Sequence, residues 1–268
     1  MNTQGVQISE LCRSSSLKFA TGLALFVQLL SSTSAFAADG QSQCKSAKPC
    51  VAVDVGHSAT RFGATSARGA REYEFNRRFA EELVARAKSS GEIEAFLISP
   101  QQSEIGLRRR AELANDSGAD AFVSIHHDSA QRKLLTSWIV GGRNFLKSDK
   151  IRGFSLFVSR ENPQFEKSKA VAAAIARRWL RAGHRRTLHH AAKIKGENRE
   201  LLNATLGIYE APFAVIRRTV IPAVLVEVGV LINPAEEDRL SASGFRRRLQ
   251  DGLIAALRQS VCVTARSQ

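Results

Sequence analysis

Short, unbroken apolar runs alternating with helical stretches constrain this chain most. Val51-Ala-Val-Asp-Val55, Glu94-Ala-Phe-Leu-Ile-Ser99, Ala121-Phe-Val-Ser-Ile125, Phe154-Ser-Leu-Phe-Val158 and Val224-Leu-Val226 all read as strands. Their apolar residues are nearly continuous, the pattern of a parallel sheet covered on both faces. Between them, residues 73–89 place Phe75, Phe79, Leu83 and Ala87 four apart, which predicts an amphipathic helix. Further helices are predicted over 103–117, capped by Ser103 and stopped by Gly118, around 167–182, and over about 244–259. Strands alternating with helices predict one α/β domain, a mostly parallel twisted sheet flanked by helices. Residues 129–152 and 183–212 are polar, long and cationic, and read as insertions on its rim.

The N-terminus does not belong to that domain. Arg13 and Lys18 flank an apolar run, Phe19 to Leu30, followed by small residues ending Ala35-Phe-Ala37. A basic flank, a short apolar core and an A-x-A site describe a secretory signal peptide over residues 1–37. The run is too short to span a bilayer comfortably. The expectation is an exported protein, periplasmic or extracellular, with a disordered lead-in over 38–49 and the folded domain over 50–262. The net charge is +14 for the whole chain. Such a surface is drawn to polyanions, which outside the cytoplasm means wall polymers and lipid headgroups. Export argues against nucleic acid, and any membrane contact would be by surface electrostatics. Cys44, Cys50 and Cys262 remain beyond the leader, and their spacing leaves the pairing open.

Three of the strand-like runs stop at titratable side chains. Val51–Val55 leads into Gly56-His57, Ala121–Ile125 into His126-His127-Asp128, and Val224–Val226 into Glu227. In an open parallel sheet the carboxyl ends of the strands share one edge, where ligands bind. Glu72 or Glu74, at the start of the first helix, belongs to the same edge. Two histidines and a carboxylate with an open fourth position describe a catalytic zinc site. A further carboxylate could then serve as general base in amide hydrolysis. Alternation along a strand turns His127 away from His126, toward the rim or substrate. His189-His190 have no strand behind them and read as a solvated loop. His184 stands in Arg177-Arg-Trp-Leu-Arg-Ala-Gly-His-Arg-Arg186, which reads as the polar face of a helix.

At these residues the sequence resembles the zinc-dependent N-acetylmuramoyl-L-alanine amidases of the Amidase_3 type. Val53-Asp-Val-Gly-His57, Glu72-Tyr-Glu-Phe-Asn76, Leu107-Arg-Arg-Arg-Ala-Glu-Leu-Ala-Asn115, Phe122-Val-Ser-Ile-His126 and Pro222-Ala-Val-Leu-Val-Glu-Val-Gly229 follow that family's motifs in order. The resemblance implies a sheet of about six strands. It favours Glu72 over Glu74 and assigns one Zn2+ to His57, Glu72 and His126, with Glu227 as the catalytic carboxylate. It also implies cleavage of the bond between N-acetylmuramic acid and L-alanine in peptidoglycan. Alternatives are a zinc peptidase acting within the stem peptide, a non-catalytic wall-binding module, or a polyanion-binding protein with incidental histidines. Some relatives block the metal with an inserted helix until a protein activator removes it. Here residues 183–212 would be that insertion, with Glu197, Glu200 or Glu210 as the plug.

Overall fold

A computed structural model describes residues 44, 48–99 and 104–265. The expected signal peptide, most of the expected lead-in, the expected Ser103 cap and the side chain of Cys262 lie outside the described residues. Cys44 is disulfide-bonded to Cys50, which fastens the lead-in to the first strand.

Strands β1 (Cys50–Val55), β2 (Glu94–Leu97), β3 (Ala121–Asp128), β4 (Thr136–Val140), β5 (Arg143–Lys147), β6 (Ser155–Val158), β7 (Leu201–Asn203), β8 (Ile208–Glu210) and β9 (Ala223–Val230) follow in chain order. The helices are α1 (Glu72–Ser90), α2 (Leu107–Asp116), α3 (Phe165–Arg181), α4 (Ala214–Arg217), α5 (Pro234–Ser241) and α6 (Ser243–Ala265). The main sheet has seven strands in the order β2-β1-β3-β9-β6-β8-β7. Strands β2, β1, β3 and β9 run parallel, β6 is antiparallel to β9, and β8 is parallel to β6. Strand β7 pairs antiparallel with β8 at the edge. The sheet is thus mostly parallel, with one strand more than expected. The additional pairing comes from β7 and β8, inside the 183–212 segment that reads as a loop.

Strand alternation divides the core in two. Val51, Val53, Val123, Ile125, Val224 and Val226 pack with Phe79 and Leu83 of α1, Ile175 and Trp179 of α3, and Leu249 and Leu253 of α6. Ala52, Phe122, Phe157, Tyr209 and Leu225 pack on the opposite face with Ala114 of α2 and Val215 and Ile216 of α4. Helix α1 ends where Gly91 adopts the left-handed conformation, φ 65°, a common helix stop. Asn233 caps α5, its side chain accepting from the Glu236 N–H, with Pro234 beginning the helix. Helix α2 begins at Leu107 behind Gly106 without a side-chain cap, several residues later than expected.

The 129–152 segment is a second departure from a plain loop. It folds into the β4–β5 hairpin, with Trp138 opposite Phe145. Its turn is Gly141-Gly142, at φ 56° and 75°. Positive φ at both positions suits a two-residue hairpin turn.

Candidate metal centre

The parallel register delivers the site. Strands β3 and β9 pair His126 with Glu227, so both side chains leave the same face at the same height. Strand β1 ends one step earlier, at Val55 opposite Ile125, and Gly56 N–H still donates to the Ile125 carbonyl. The chain then turns at His57, whose φ of 68° is unusual for a residue with a side chain. Glu72 opens α1 and reaches the same edge. Its Oε2 lies 3.1 Å from His57 Nε2 and its Oε1 lies 3.1 Å from His126 Nδ1. The two imidazole rings stand edge to face with centroids 4.9 Å apart. His57, Glu72 and His126 therefore converge as a set able to hold a transition-metal ion. Glu74 points elsewhere, to Arg77 on the exposed face of α1.

Glycine makes room for this convergence. A β-carbon on Gly56 would collide with the His126 ring, and one on Gly63 with Glu72 Oε2 and the His57 ring. Gly63 also adopts φ 74°, which glycine reaches without steric cost. Glu72 is further held by the Ala64 N–H at 2.9 Å and the Asn76 side-chain amide at 3.0 Å. Burial pushes the Glu72 carboxyl up. Hydrogen bonds and charges from His126 and His57 outweigh that and hold it well below the usual carboxylate range.

The turn at His57 is clamped from behind. Arg110, buried on α2, donates to Asp54 Oδ1 at 2.9 Å, to the His57 carbonyl at 2.5 Å and to the Val55 carbonyl. Ser124 donates to the other Asp54 oxygen at 2.6 Å. A buried guanidinium thus binds one carboxylate and two backbone carbonyls around the residue in the unusual conformation. The polar Asp54 inside an apolar run was the sequence signal for this clamp. Arg110 lies within the Leu107–Asn115 motif, where the sequence alone gives it no partner.

Glu227 is the unsatisfied member. Its Oε2 is buried without a hydrogen-bond partner among the described residues. Burial, followed by the charges of Asp128 and Glu72, raises its carboxyl well above the ordinary range. His57, His126 and Glu227 line one cavity of about 760 Å³, together with Asp54, Arg61 and Phe213.

Three histidine expectations need correction. His127 does face away from His126, but into the core rather than the rim. It is 1% exposed, packs near Phe75 and Phe79, and bonds Asn76 Oδ1 at 2.8 Å. Burial lowers its pKa to about 3. His184 is buried among Phe154, Trp179 and Phe245 rather than on a polar helix face. His189 and His190 form a short 3-10 turn that packs against Asp128, instead of a solvated loop. The plug also differs from expectation. Glu197 pairs with His190, Glu200 with Arg160, and Glu210 accepts from the Arg160 N–H. None of the three lines the cavity.

Fold and cluster together define an α/β domain with a histidine–carboxylate cluster able to hold a metal ion at the carboxyl edge of its parallel strands. The chain belongs to the Amidase_3 family, described as N-acetylmuramoyl-L-alanine amidase, which it matches over residues 51–259. It is 28% identical over 235 residues to the probable N-acetylmuramoyl-L-alanine amidase AmiB of Haemophilus influenzae, covering 76% of this chain and 51% of that one. It is 25% identical to N-acetylmuramoyl-L-alanine amidase AmiA of Escherichia coli over 75% of this chain and 72% of that one. The chain spans little more than half the length of AmiB and of the probable cell wall amidase LytH of Staphylococcus saprophyticus. Among solved structures, the catalytic domain of the amidase CwlV from Bacillus (Paenibacillus) polymyxa aligns with TM-score 0.59 and 27% identity. That match covers 79% of this chain and 97% of the other. The Clostridium difficile 630 amidase shares the fold, with TM-score 0.61 at 22% identity over 78% of this chain and 95% of that chain.

Proposed function

We propose that this chain is an exported zinc-dependent hydrolase cleaving the amide between N-acetylmuramic acid and L-alanine in peptidoglycan. One observation carries the reading: His57, Glu72 and His126 converge at the strand edge, and His57 and His126 share one cavity with Glu227, whose Oε2 is buried without a partner among the described residues. Two imidazole nitrogens and one carboxylate oxygen suit zinc, and three protein ligands leave a position for substrate chemistry. The glycines that admit these side chains so closely support the same donor set. When bound, zinc polarises a carbonyl and lowers the pKa of water toward about 7.

In this reading His57, Glu72 and His126 hold the ion. Asn76 and the Ala64 N–H fix the Glu72 carboxylate, and the Arg110 clamp fixes His57. Glu227 takes a proton from the attacking water and passes it to the leaving nitrogen. A carboxyl held above its ordinary range serves both halves of that transfer. The cavity face admits the glycan–peptide junction, and the basic surface draws the chain to the anionic wall. The three carboxylates expected as plugs are engaged elsewhere, so none of them would have to be displaced for substrate to enter.

The test is product analysis of purified sacculi digested by the full chain, with and without a chelator. The expected products are intact stem peptides and glycan with free lactyl groups, lost with chelator and restored by zinc. Cleavage within the stem would replace this reading with a peptidase. Glu227→Gln should keep its zinc while turnover falls by about 10²–10⁴-fold, the usual range for losing a general acid–base group. Undiminished turnover would remove Glu227 from its role. The variant's stability should stay close to the parent's, because Glu227 Oε2 makes no hydrogen bond among the described residues for the substitution to break.

A further inference from the structure

Two residues beyond His126, the same strand ends in Asp128, and a second cluster gathers there. His190 Nε2 lies 2.7 Å from Asp128 Oδ2, and His189 Nε2 lies 3.3 Å from that same oxygen. The two ring centroids are 3.9 Å apart. The residue types are those of the first centre, one carboxylate with two imidazoles, here meeting at a single carboxylate oxygen rather than at two. Both histidines come from the 183–212 segment and Asp128 from the catalytic edge.

The outer contacts are those that orient metal ligands. His190 Nδ1 is held by Glu197 Oε2 at 2.8 Å, and His189 Nδ1 by Thr187 Oγ1 at 2.9 Å. With its proton on Nδ1, each ring turns an Nε2 lone pair toward Asp128. Asp128 is fixed in turn, its Oδ1 accepting from the Ser129 N–H at 2.7 Å. The Ser129 carbonyl, 3.1 Å from His189 Nε2, is a fourth donor beside the cluster. Phe157 and Tyr209 wall it, with centroids 5.0 and 5.5 Å from the His190 ring. Without an ion, a doubly protonated His190 bridges Asp128 and Glu197, and His189 donates Nε2–H to the Ser129 carbonyl. A bound ion would replace both Nε2 hydrogens at the point where the two rings meet Asp128.

We propose that Asp128, His189 and His190 bind a second divalent ion of the zinc type, a structural one, that pins residues 183–212 to the end of β3. Two imidazole nitrogens, a carboxylate and a carbonyl make a closed tetrahedral set, as structural rather than catalytic sites have. Glu197 supplies the outer carboxylate. The site is separate in its ligands from His57, Glu72 and His126.

The experiment strips the full chain with a chelator, reloads it with zinc alone, and counts bound ions by elemental analysis. The parent should hold two ions per chain. His57→Ala should hold one, His189→Asn with His190→Asn one, and the combined variant none. The remaining ion in His57→Ala should raise the melting temperature on reloading, a readout independent of wall hydrolysis. One ion in the parent, absent from His57→Ala and retained by the paired asparagine variant, would overturn the proposal and leave a buried ion pair only. Should the asparagine variant fail to fold, anomalous diffraction at the zinc edge from the parent decides. A second peak between Asp128, His189 and His190 supports the site, and its absence from zinc-loaded crystals overturns it. A failed amidase assay would leave this ion count untouched.

Discussion

The two faces of the main sheet use the same strands for opposite ends. On one, Val123, Ile125, Val224, Val226 and Val228 are completely buried beneath α1, α3 and α6. On the other, Phe122 and Leu225 are followed by His126 and Glu227, which open into the cavity. The cover makes the difference. Helix α3 has 17 residues and α6 has 23, whereas α2 has 10 and α4 has 4. Short helices leave the strand ends uncovered, and a polar group there meets the open cavity rather than a hydrocarbon wall. His126 and His127 show the rule in adjacent residues: one imidazole faces the cavity, the other is sealed in the core with its pKa at about 3 because of burial.

The sharpest way to break that comparison is to attack the open face where it is most tightly held. Arg110→Ala removes the donor for Asp54, Val55 and His57 at once, leaving a buried carboxylate without its cation. Deleting one partner of a buried pair costs about 3–5 kcal/mol. The released His57 should relax from its left-handed conformation, so turnover should fall with stability. Urea unfolding and zinc titration measure the two effects separately. Unchanged zinc affinity would mean that the clamp serves folding and not the site.

The closed face yields to pH instead. His184 Nε2–H donates to the Val228 carbonyl at 2.7 Å, while its Nδ1 is buried without a partner among the described residues. Burial, with the nearby Arg239 charge adding to it, lowers the pKa to about 4 against the opposing pull of that carbonyl. The unfolded chain takes up this proton near pH 6.5, but the folded chain resists until about pH 4. Stability is therefore complete above about pH 6.5 and falls as pH drops toward 4, by about 3 kcal/mol in all. Unfolding free energies for the parent and His184→Phe across that window check it. Parallel curves for the two proteins would refute the assignment.

How far this division was legible depends on how local its causes are. The strand runs and the outward turn of His126 follow from periodicity and alternation, which a few neighbouring residues determine. The convergence of His57, Glu72 and His126 follows from parallel strands ending on one edge. Burial of His184, His189 and His190 is different, because its cause lies far away in sequence. Phe245 covers His184 from α6, and Phe157 and Tyr209 cover His190 from β6 and β8. A cationic, turn-rich stretch gives no hint of such cover. The Gly141-Gly142 turn was a local signal for the hairpin that polar composition outweighed.

Asn76 joins the two faces and allows the finest test. Its amide donates to Glu72 Oε1 at 3.0 Å and to the Gly56 carbonyl at 3.1 Å, while its oxygen accepts from His127 Nδ1–H. Asn76→Ala would leave the Gly56 carbonyl and a second nitrogen of His127 without partners, since His127 Nε2 already has none among the described residues. Each unsatisfied buried group costs about 1–3 kcal/mol. Losing the outer support of a metal-binding carboxylate weakens metal affinity by about 10–100-fold. If Asn76 serves only the core, stability should fall while zinc affinity stays constant. If it tunes the site as the geometry indicates, Asn76→Ala should weaken zinc binding, and Asn76→Asp more so. The aspartate keeps an acceptor for His127 but cannot donate to Glu72 Oε1, so Glu72 loses its outer hydrogen bond and gains a like charge beside it.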